Sequence, residues 1–149
     1  MVGLPCAGKT TRARQLAQER SALRLTPDEW QTRLFGQDLG DPAHDQRHDL
    51  IETMLWGVAE RVLTLGVSVI LDFGFWAQAE REDYRARAVQ LGASSEIHFL
   101  DVPDDELIER LAQRNAHLPA GSFTIPESNL REWMKFFQRP SPDELKRRE

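Results

Sequence analysis

Apolar residues recur at helical spacing in the longest regular segment of the chain, residues 43–65. A period of 3.6 residues places such positions on one side of a helix, so the pattern predicts a long amphipathic helix that ends at Gly66. Further helices are predicted at residues 9–19, 26–35, about 77–91, 103–115 and about 124–137. The apolar positions of the long helix are Leu50, Ile51, Met54, Leu55, Val58, Val62 and Leu65.

Three shorter segments predict strands between these helices: residues 22–25, a buried β-branched run over 67–72, and residues 96–102. Thr26 and Thr124 each open a predicted capping box, with Glu29 and Glu127 three residues later. Strands that alternate with helices are typical of an α/β fold with a mainly parallel sheet covered on both faces. No repeat or linker divides the chain, so we expect a single domain over residues 1–149.

Composition narrows the classes of protein that fit. The chain has 149 residues, and its 19 Lys and Arg against 24 Asp and Glu give a net charge of −5. This balance argues against a dedicated duplex-DNA binder, and the single cysteine, Cys6, excludes an internal disulfide and a cysteine zinc cluster. No apolar run approaches the ~18 residues that span a bilayer, and the first residues lack a secretory pattern, so we expect a cytoplasmic protein.

The strongest motif is Gly3-Leu4-Pro5-Cys6-Ala7-Gly8-Lys9-Thr10, which matches the phosphate loop, or Walker A motif, at every fixed position. Backbone N–H groups, a helix N-terminus and a lysine together meet the charge of a triphosphate. On this logic Lys9 contacts the β- and γ-phosphates of ATP and Thr10 ligates Mg²⁺. The alternative is a chance glycine-rich turn. The predicted nucleotide-binding residues are Gly3, Pro5, Cys6, Ala7, Gly8, Lys9, Thr10, Thr11, Arg110 and Arg114.

The start of the chain bears on the phosphate loop. Such a loop follows a central strand, and only Met1 and Val2 precede Gly3. We therefore expect either an unusually short first strand or a chain truncated relative to its relatives.

With these motifs the chain resembles the small P-loop kinases, a group that includes polynucleotide kinase, chloramphenicol phosphotransferase, zeta toxin and AAA-domain kinases. The resemblance runs from Gly3 to about Glu144, through GLPCAGKTT, RLTPDEW, VILDFGFW, ERLAQRN and FQRPSPDE. It implies a P-loop NTPase fold, a three-layer α/β/α sandwich with a mainly parallel sheet, kinase-like with a short lid at about 115–124. It also implies an ATP-dependent kinase that transfers the γ-phosphate to a hydroxyl group.

Two aspartates take roles from this resemblance. Asp28 stands where those kinases place the base that deprotonates the acceptor hydroxyl, and a carboxylate near the γ-phosphate suits that task. The alternative is that Asp28 only complements the helix dipole. Asp72 ends a predicted strand, where an acid can meet the Mg²⁺ held by Thr10. Its alternative is a loop carboxylate that caps residues 73–75.

Arg110 and Arg114 lie four residues apart and therefore on one helix face. The resemblance places them in the lid, where they bind ATP and clamp the transferring phosphoryl group. Surface ion pairs with Glu106 or Glu109 are the alternative. Residues 138–144 resemble the segment beside the adenine, and residues 145–149 are predicted to be a solvated end.

The residues predicted to border the acceptor form less specific patterns than the phosphate loop does. His44, His48 and Glu52 share a helix face that suits either zinc or a polar substrate, but a solvated polar face is the preferred interpretation. Gln31 occupies the position where polynucleotide kinase has an arginine, which disfavours an oligonucleotide acceptor. Cys6 is predicted to be inert packing in an electropositive setting that could lower its pKa.

Aromatic and basic residues near the predicted acceptor site each allow two interpretations. Phe73, Phe75 and Trp76 either stack on the acceptor or close the core. Arg33 and Arg47 suit either an anionic substrate or surface ion pairs. Trp30 and Trp56 are predicted to be core residues.

The sequence thus predicts a kinase that uses ATP and Mg²⁺ to phosphorylate a small molecule, with Lys9, Asp28, Arg110 and Arg114 as catalytic residues. The alternatives are a nucleic-acid 5′-hydroxyl kinase and a non-catalytic ATP-binding switch. The expected partners are ATP and the acceptor, and no membrane.

Overall fold

The computed structural model describes residues 1–149 and contains six helices and two short strands. All six predicted helices are present, and their ends differ slightly from the predicted ones, as is usual at helix termini. No helix combines the length and apolar character needed to cross a membrane. The elements in chain order are α1 (Lys9–Glu19), β1 (Leu23–Leu25), α2 (Pro27–Phe35), α3 (His44–Thr64), β2 (Val69–Leu71), α4 (Gln78–Gln90), α5 (Asp104–Ala116) and α6 (Glu127–Phe136).

The two predicted capping boxes are wrong. The side chain of Thr26 makes no capping hydrogen bond to α2, which begins instead with Pro27, a residue whose fixed φ suits the first helical position. Helix α6 begins at Glu127 behind Pro126, so Thr124 lies too far upstream to cap it. The backbone N–H of Thr124 donates to Gln37 Oε1 at 2.8 Å instead.

The sheet is parallel but shorter than the sequence predicts. Strands β1 and β2 pair with Leu23 opposite Val69. Val2 forms isolated parallel bridges to Gly74 and to Phe99, and this residue alone represents the strand that leads into the phosphate loop. The predicted strand over residues 96–102 is reduced to the bridge at Phe99, because only Val2 lies beside it.

Alternation along β2 shows that helices cover both faces of the sheet. Val69 and Leu71 pack against the cluster formed with α3, whereas Ile70 packs against the cluster that contains Ala13 and Leu16 of α1. Successive side chains of a strand point to opposite faces, so α3 and α1 lie on opposite sides. The three-layer α/β/α architecture is therefore confirmed. A third cluster joins the phosphate loop to α5 and α6 and comprises Leu4, Ala7, Leu107, Leu111, Phe123, Ile125 and Leu130.

Burial differs from the prediction in three places. The residues of β2 are half-buried rather than buried, because they border a cavity of about 520 Å³. On α3, Leu50 and Met54 are about 60% exposed, since only the face carrying Ile51, Leu55, Trp56 and Ala59 meets the sheet. Trp56 is a core residue as predicted, whereas Trp30 is 50% exposed and its prediction as core is wrong.

The C-terminal residues 145–149 are mostly exposed, as their charges predict, but their backbone is also docked on the fold. Arg148 exchanges two backbone hydrogen bonds with Ser95, at 2.8 and 2.9 Å, and forms an antiparallel bridge. The guanidinium of Arg85 donates to the carbonyls of Glu144 and Lys146, each at 2.6 Å. These long-range contacts dock the segment on α4 and beside residues 94–95.

Candidate functional site

Ten of the twelve predicted site residues line one cavity of about 890 Å³ at the carboxyl ends of the two strands, and Gly3 and Ala7 lie outside its lining. Asp28 follows β1 and Asp72 follows β2, and this edge of a parallel sheet is where ligands bind. The residues of the cavity that matter to its chemistry are Cys6, Lys9, Thr10, Asp28, His48, Glu52, Asp72, Glu80, Arg110 and Arg114.

The phosphate loop has the backbone that close approach to a ligand requires. Gly8 precedes α1 with φ 93° and Gly3 has φ 149°, a region that side chains avoid. A Cβ atom at Gly3 would lie 3.1 Å from the carbonyl oxygen of Leu100. The first turn of α1 has no acidic residue and no side-chain cap, so its N–H groups are available to an anion.

Lys9 is folded back onto the loop, where its Nζ donates to the carbonyl of Leu4 at 2.9 Å. Burial lowers the pKa of Lys9, and the carboxylates of Asp72 and Asp28 oppose that shift. A bound phosphate would likewise favour the charged ammonium. Lys9 therefore lies in the loop, and its contact with the β- and γ-phosphates stays a prediction.

The two arginines of α5 differ in their contacts. Arg110 is exposed, pairs with Glu106 and donates to the carbonyl of Cys6 at 3.3 Å. The predicted ion-pair alternative is thus present alongside the contact with the loop. Arg114 is half-buried, and its Nη1 is buried without any hydrogen-bond partner. A guanidinium that keeps an unsatisfied buried donor beside the phosphate loop is suited to an anion.

Thr10 and Asp72 supply oxygen ligands of the type that Mg²⁺ prefers. Thr10 is exposed to the cavity, and the side chain of Asp72 is 2% exposed. Arg24 Nη1 donates to Asp72 Oδ2 at 3.1 Å, which leaves Oδ1 outside this contact. The pair therefore fits a cation site, with Arg24 as an additional partner that sequence reasoning missed.

Asp28 lies in the first turn of α2, and its side chain is 53% exposed. His48 of α3 places Nε2 3.5 Å from Asp28 Oδ1 and Nδ1 3.6 Å from Glu52 Oε1. The interpretation of this helix face as solvated is wrong, because His48 and Glu52 turn into the cavity and His44 is buried.

Acidic groups dominate the side of the cavity around Asp28. Burial raises the pKa of Glu52 to about 7, against the pull of His48 and with the help of Glu80 and Asp49. Burial also raises the pKa of Glu80. No lysine or arginine lies within ion-pair distance of Glu52 or Glu80, so this side of the cavity is electronegative.

The segment predicted as a lid, residues 115–124, is held by two hydrogen bonds, one at Ser122 and one that joins its two ends. Gln37 donates to the carbonyl of Ser122 at 2.7 Å, and Asn115 donates to that of Ile125 at 2.7 Å. A Cβ atom at Gly121 would lie 2.8 Å from Glu29 Cγ. Residues 119–123 border the cavity in this arrangement, and opening as a lid stays a prediction.

The aromatic residues after β2 mainly close the core. Phe75 is 7% exposed and stacks on Phe73 with ring centroids 5.5 Å apart. Trp76 packs against Trp133 at 5.3 Å. Phe73, Phe75 and Trp76 also border the cavity, and stacking on an acceptor stays a prediction.

The structure also bears on the predictions for Cys6, Arg47 and Arg33. Burial raises the pKa of Cys6 despite the opposing charges of Arg114 and Lys9, so the electropositive setting does not lower it, in agreement with the prediction of inert packing. Arg47 pairs with Asp38 and Asp41 at 3.0 Å, which confirms its ion-pair interpretation. Arg33 is exposed and outside the cavity.

A buried polar network behind the site was not foreseen. Gln31 is fully buried and donates to Asp38, while His44 Nδ1 lies 2.8 Å from Asp38 Oδ1. The network joins α2, the following loop and α3, and it holds the two helices that carry Asp28 and His48. Its only sequence signal is the polar residue Gln31 at an otherwise inward-facing position of α2.

Comparison with known proteins gives a family match and a fold match. A family model described as AAA domain matches residues 1–140. No curated protein matches the chain.

Three solved structures share the fold. A chain of the Pnkp1/Rnl/Hen1 RNA repair complex aligns with a TM-score of 0.73 and 24% identity over 90% of this chain, which spans only 41% of that one. A presumed kinase from Chloroflexus aurantiacus aligns with a TM-score of 0.71 and 19% identity, covering 95% of this chain and 80% of the other. Kti12 of Chaetomium thermophilum, solved with ADP-AlF3, aligns with a TM-score of 0.71 and 22% identity over the same shares. The fold is that of the P-loop kinases.

Proposed function

The chain belongs to the AAA-domain family, and from that premise we propose that it is an ATP- and Mg²⁺-dependent phosphotransferase acting on a hydroxyl of a small molecule. The observation that carries the proposal is the unpartnered, buried Nη1 of Arg114 beside the phosphate loop, in the cavity that also holds Asp28. An anionic ligand on one side and a carboxylate base on the other are what direct phosphoryl transfer requires.

The phosphates of ATP bind to the N–H groups of the loop and of α1, to Lys9 and to Arg110 and Arg114. Thr10 and Asp72 would hold Mg²⁺, and the ion would neutralise charge on the phosphate oxygens. These groups orient the γ-phosphate toward the cavity and supply positive charge where negative charge develops in the transition state.

Asp28 accepts the proton of the acceptor hydroxyl. The hydroxyl oxygen forms a bond to the γ-phosphorus, and the bond from that phosphorus to the β,γ-bridging oxygen breaks, so ADP leaves. The carboxylate of Asp28 is protonated at the end of the step. Lys9, Arg110 and Arg114 compensate the negative charge that develops on the departing ADP.

Charge around Asp28 favours a small molecule over a nucleic acid. Phosphates next to a 5′-hydroxyl would face the acidic side of the cavity that includes Glu52 and Glu80. Gln31, at the position where polynucleotide kinase has an arginine, is fully buried in the network with Asp38 and supplies no positive charge. An oligonucleotide acceptor would therefore meet repulsion near the base.

The test is transfer of label from γ-labelled ATP to a panel of alcohols, nucleosides, sugars, antibiotics and 5′-hydroxyl oligonucleotides. We expect a small hydroxyl compound to be labelled and Asp28→Asn to bind ATP while transfer falls by about 10²–10⁴-fold. Asp83→Asn, which removes an exposed acid of α4 outside the cavity, serves as the control. Full transfer by Asp28→Asn would refute the role of Asp28.

Two other outcomes separate the alternatives. Labelling of oligonucleotides alone would favour an end-phosphorylating nucleic-acid kinase. ATP binding with no labelled acceptor and no release of phosphate to water would favour a nucleotide-binding module without transfer activity.

A further inference from the structure

We propose that His48 is a positioning residue, whose imidazolium is held by Glu52 and in turn orients the carboxylate of Asp28. The catalytic part of this inference rests on the proposed phosphotransferase function. The contact among the three side chains is a property of the fold and can be tested separately.

The geometry brings three residues from two helices into one row. His48 and Glu52 are one turn apart on α3, and α2, which carries Asp28, packs against that helix. His48 Nε2 lies 3.5 Å from Asp28 Oδ1, and Nδ1 lies 3.6 Å from Glu52 Oε1. Both ring nitrogens thus face a carboxylate oxygen. A ring with a carboxylate oxygen at ion-pair distance from each nitrogen is favoured in its charged imidazolium form, which has a donor at both nitrogens.

The groups facing His48 come from three helices. Asp28 projects from α2, Glu52 and Asp49 from α3, and Glu80 from α4. Burial disfavours the charged ring, but the carboxylates of Asp28, Glu52 and Asp49 outweigh that effect and raise the pKa of His48. No lysine or arginine lies within ion-pair distance of these four carboxylates. The ring is the cation of an otherwise acidic cluster.

The contact has a clear consequence for the base. Asp28 is 53% exposed, so without a partner its carboxylate would rotate freely. His48 engages Oδ1 and leaves Oδ2 to accept the proton of the acceptor hydroxyl. The imidazolium keeps its own proton throughout the step. The fixed position of the ring on α3 sets the direction of the free oxygen of Asp28.

The first experiment measures the contact without reference to activity. The four histidines are titrated by NMR in the intact chain, with His48→Gln used to identify the His48 signals. We expect the pKa of His48 to fall in Asp28→Asn and in Glu52→Gln, because each variant removes a carboxylate beside one ring nitrogen. Asp83→Asn is the control and leaves it unchanged. A His48 pKa that is the same in all variants would overturn the proposal.

The second experiment measures the consequence for transfer. Phosphate release from ATP to water, and transfer to any acceptor labelled in the panel, are followed from pH 5 to 9. We expect His48→Gln to lower kcat by about tenfold or more with an unchanged KM for ATP. The difference in kcat between the wild type and His48→Gln should narrow at high pH, where the wild-type ring loses its proton, whose pKa is raised by the neighbouring carboxylates.

Glutamine keeps a hydrogen-bond donor without the charge, and His48→Ala removes both, so alanine should lower kcat further. Arg61→Gln, at an exposed position near the other end of α3, is the control for effects on the helix. Wild-type kcat and pH profile in His48→Gln would refute the positioning role even if the titration shows the contact. Absence of transfer by the wild-type protein would instead refute the proposed function, and the titration would still decide the contact.

Discussion

Replacing Arg81 by methionine tests the most completely buried ion pair of the fold. Arg81 Nε donates to Glu144 Oε1 at 2.7 Å, and the two side chains are 1% and 6% exposed. Its Nη1 also donates to the carbonyls of Phe75, Trp76 and Gln138, at 3.1, 3.2 and 2.9 Å. One side chain therefore joins α4, the turn after β2 and the C-terminal segment.

The expected loss of stability is large because the substitution leaves an unpaired charge behind. Removing one partner of a buried ion pair costs about 3–5 kcal/mol. A domain of this kind is stable by about 5–15 kcal/mol, so Arg81→Met removes a substantial part of the total. In the double variant Arg81→Met/Glu144→Met neither charge of this pair remains, and we expect it to be more stable than Arg81→Met alone.

The assay is urea denaturation followed by tryptophan fluorescence. Lys146→Met is the control, because its ion pair with Asp143 is exposed and contributes little. A loss below about 1 kcal/mol in Arg81→Met would refute this reasoning. So would a double variant that is no more stable than the single one.

Two further predictions concern the cavity. We expect Arg114→Met to weaken ATP binding by about 10–100-fold, the value of one charge-assisted hydrogen bond, in a fluorescent-nucleotide competition assay. Arg110→Met should weaken it less, since Arg110 is exposed and already paired with Glu106, and the opposite order would contradict this. The pKa of Glu52 is raised to about 7, so the folded state binds the proton more tightly. The contribution of Glu52 to stability is therefore fully present at pH values below its pKa in the unfolded chain, and it is lost as the pH rises to about 7. Glu52→Gln should abolish that slope in denaturation curves between pH 4.5 and 7, and a wild-type slope in the variant would count against it.

Sequence periodicity predicts the helices well because it reports local preference. It does not report how much of an apolar face the tertiary structure covers. Leu50 and Met54 have the spacing of core residues, yet both remain exposed because the sheet is narrow and meets only the neighbouring stripe of α3. Trp30 is exposed for the same kind of reason, since its side of α2 has no layer packed over it.

The candidate site also has parts that the sequence predicts and parts that depend on tertiary contacts. The phosphate loop is a contiguous motif whose backbone conformation follows from its glycines, so the sequence is sufficient to predict it. His48 and Glu52 show the spacing of a helix face, but that spacing is the same for a solvated face and for one that borders a cavity. The contact between Arg81 and Glu144 joins residues 63 positions apart and leaves no local pattern.

Arg24 explains how a buried carboxylate, Asp72, can lie beside the proposed phosphate-binding residue Lys9. Asp72 is a buried carboxylate close enough to Lys9 to affect its pKa, and alone it would repel the phosphates that Lys9 serves. Arg24 neutralises it through Oδ2 and is itself held by Glu29 of α2. The carboxylate therefore stays available to a cation at little electrostatic cost to phosphate binding. Since Arg24 lies on β1 and Glu29 on the helix that carries Asp28, the same contacts link the base to the phosphate side of the cavity.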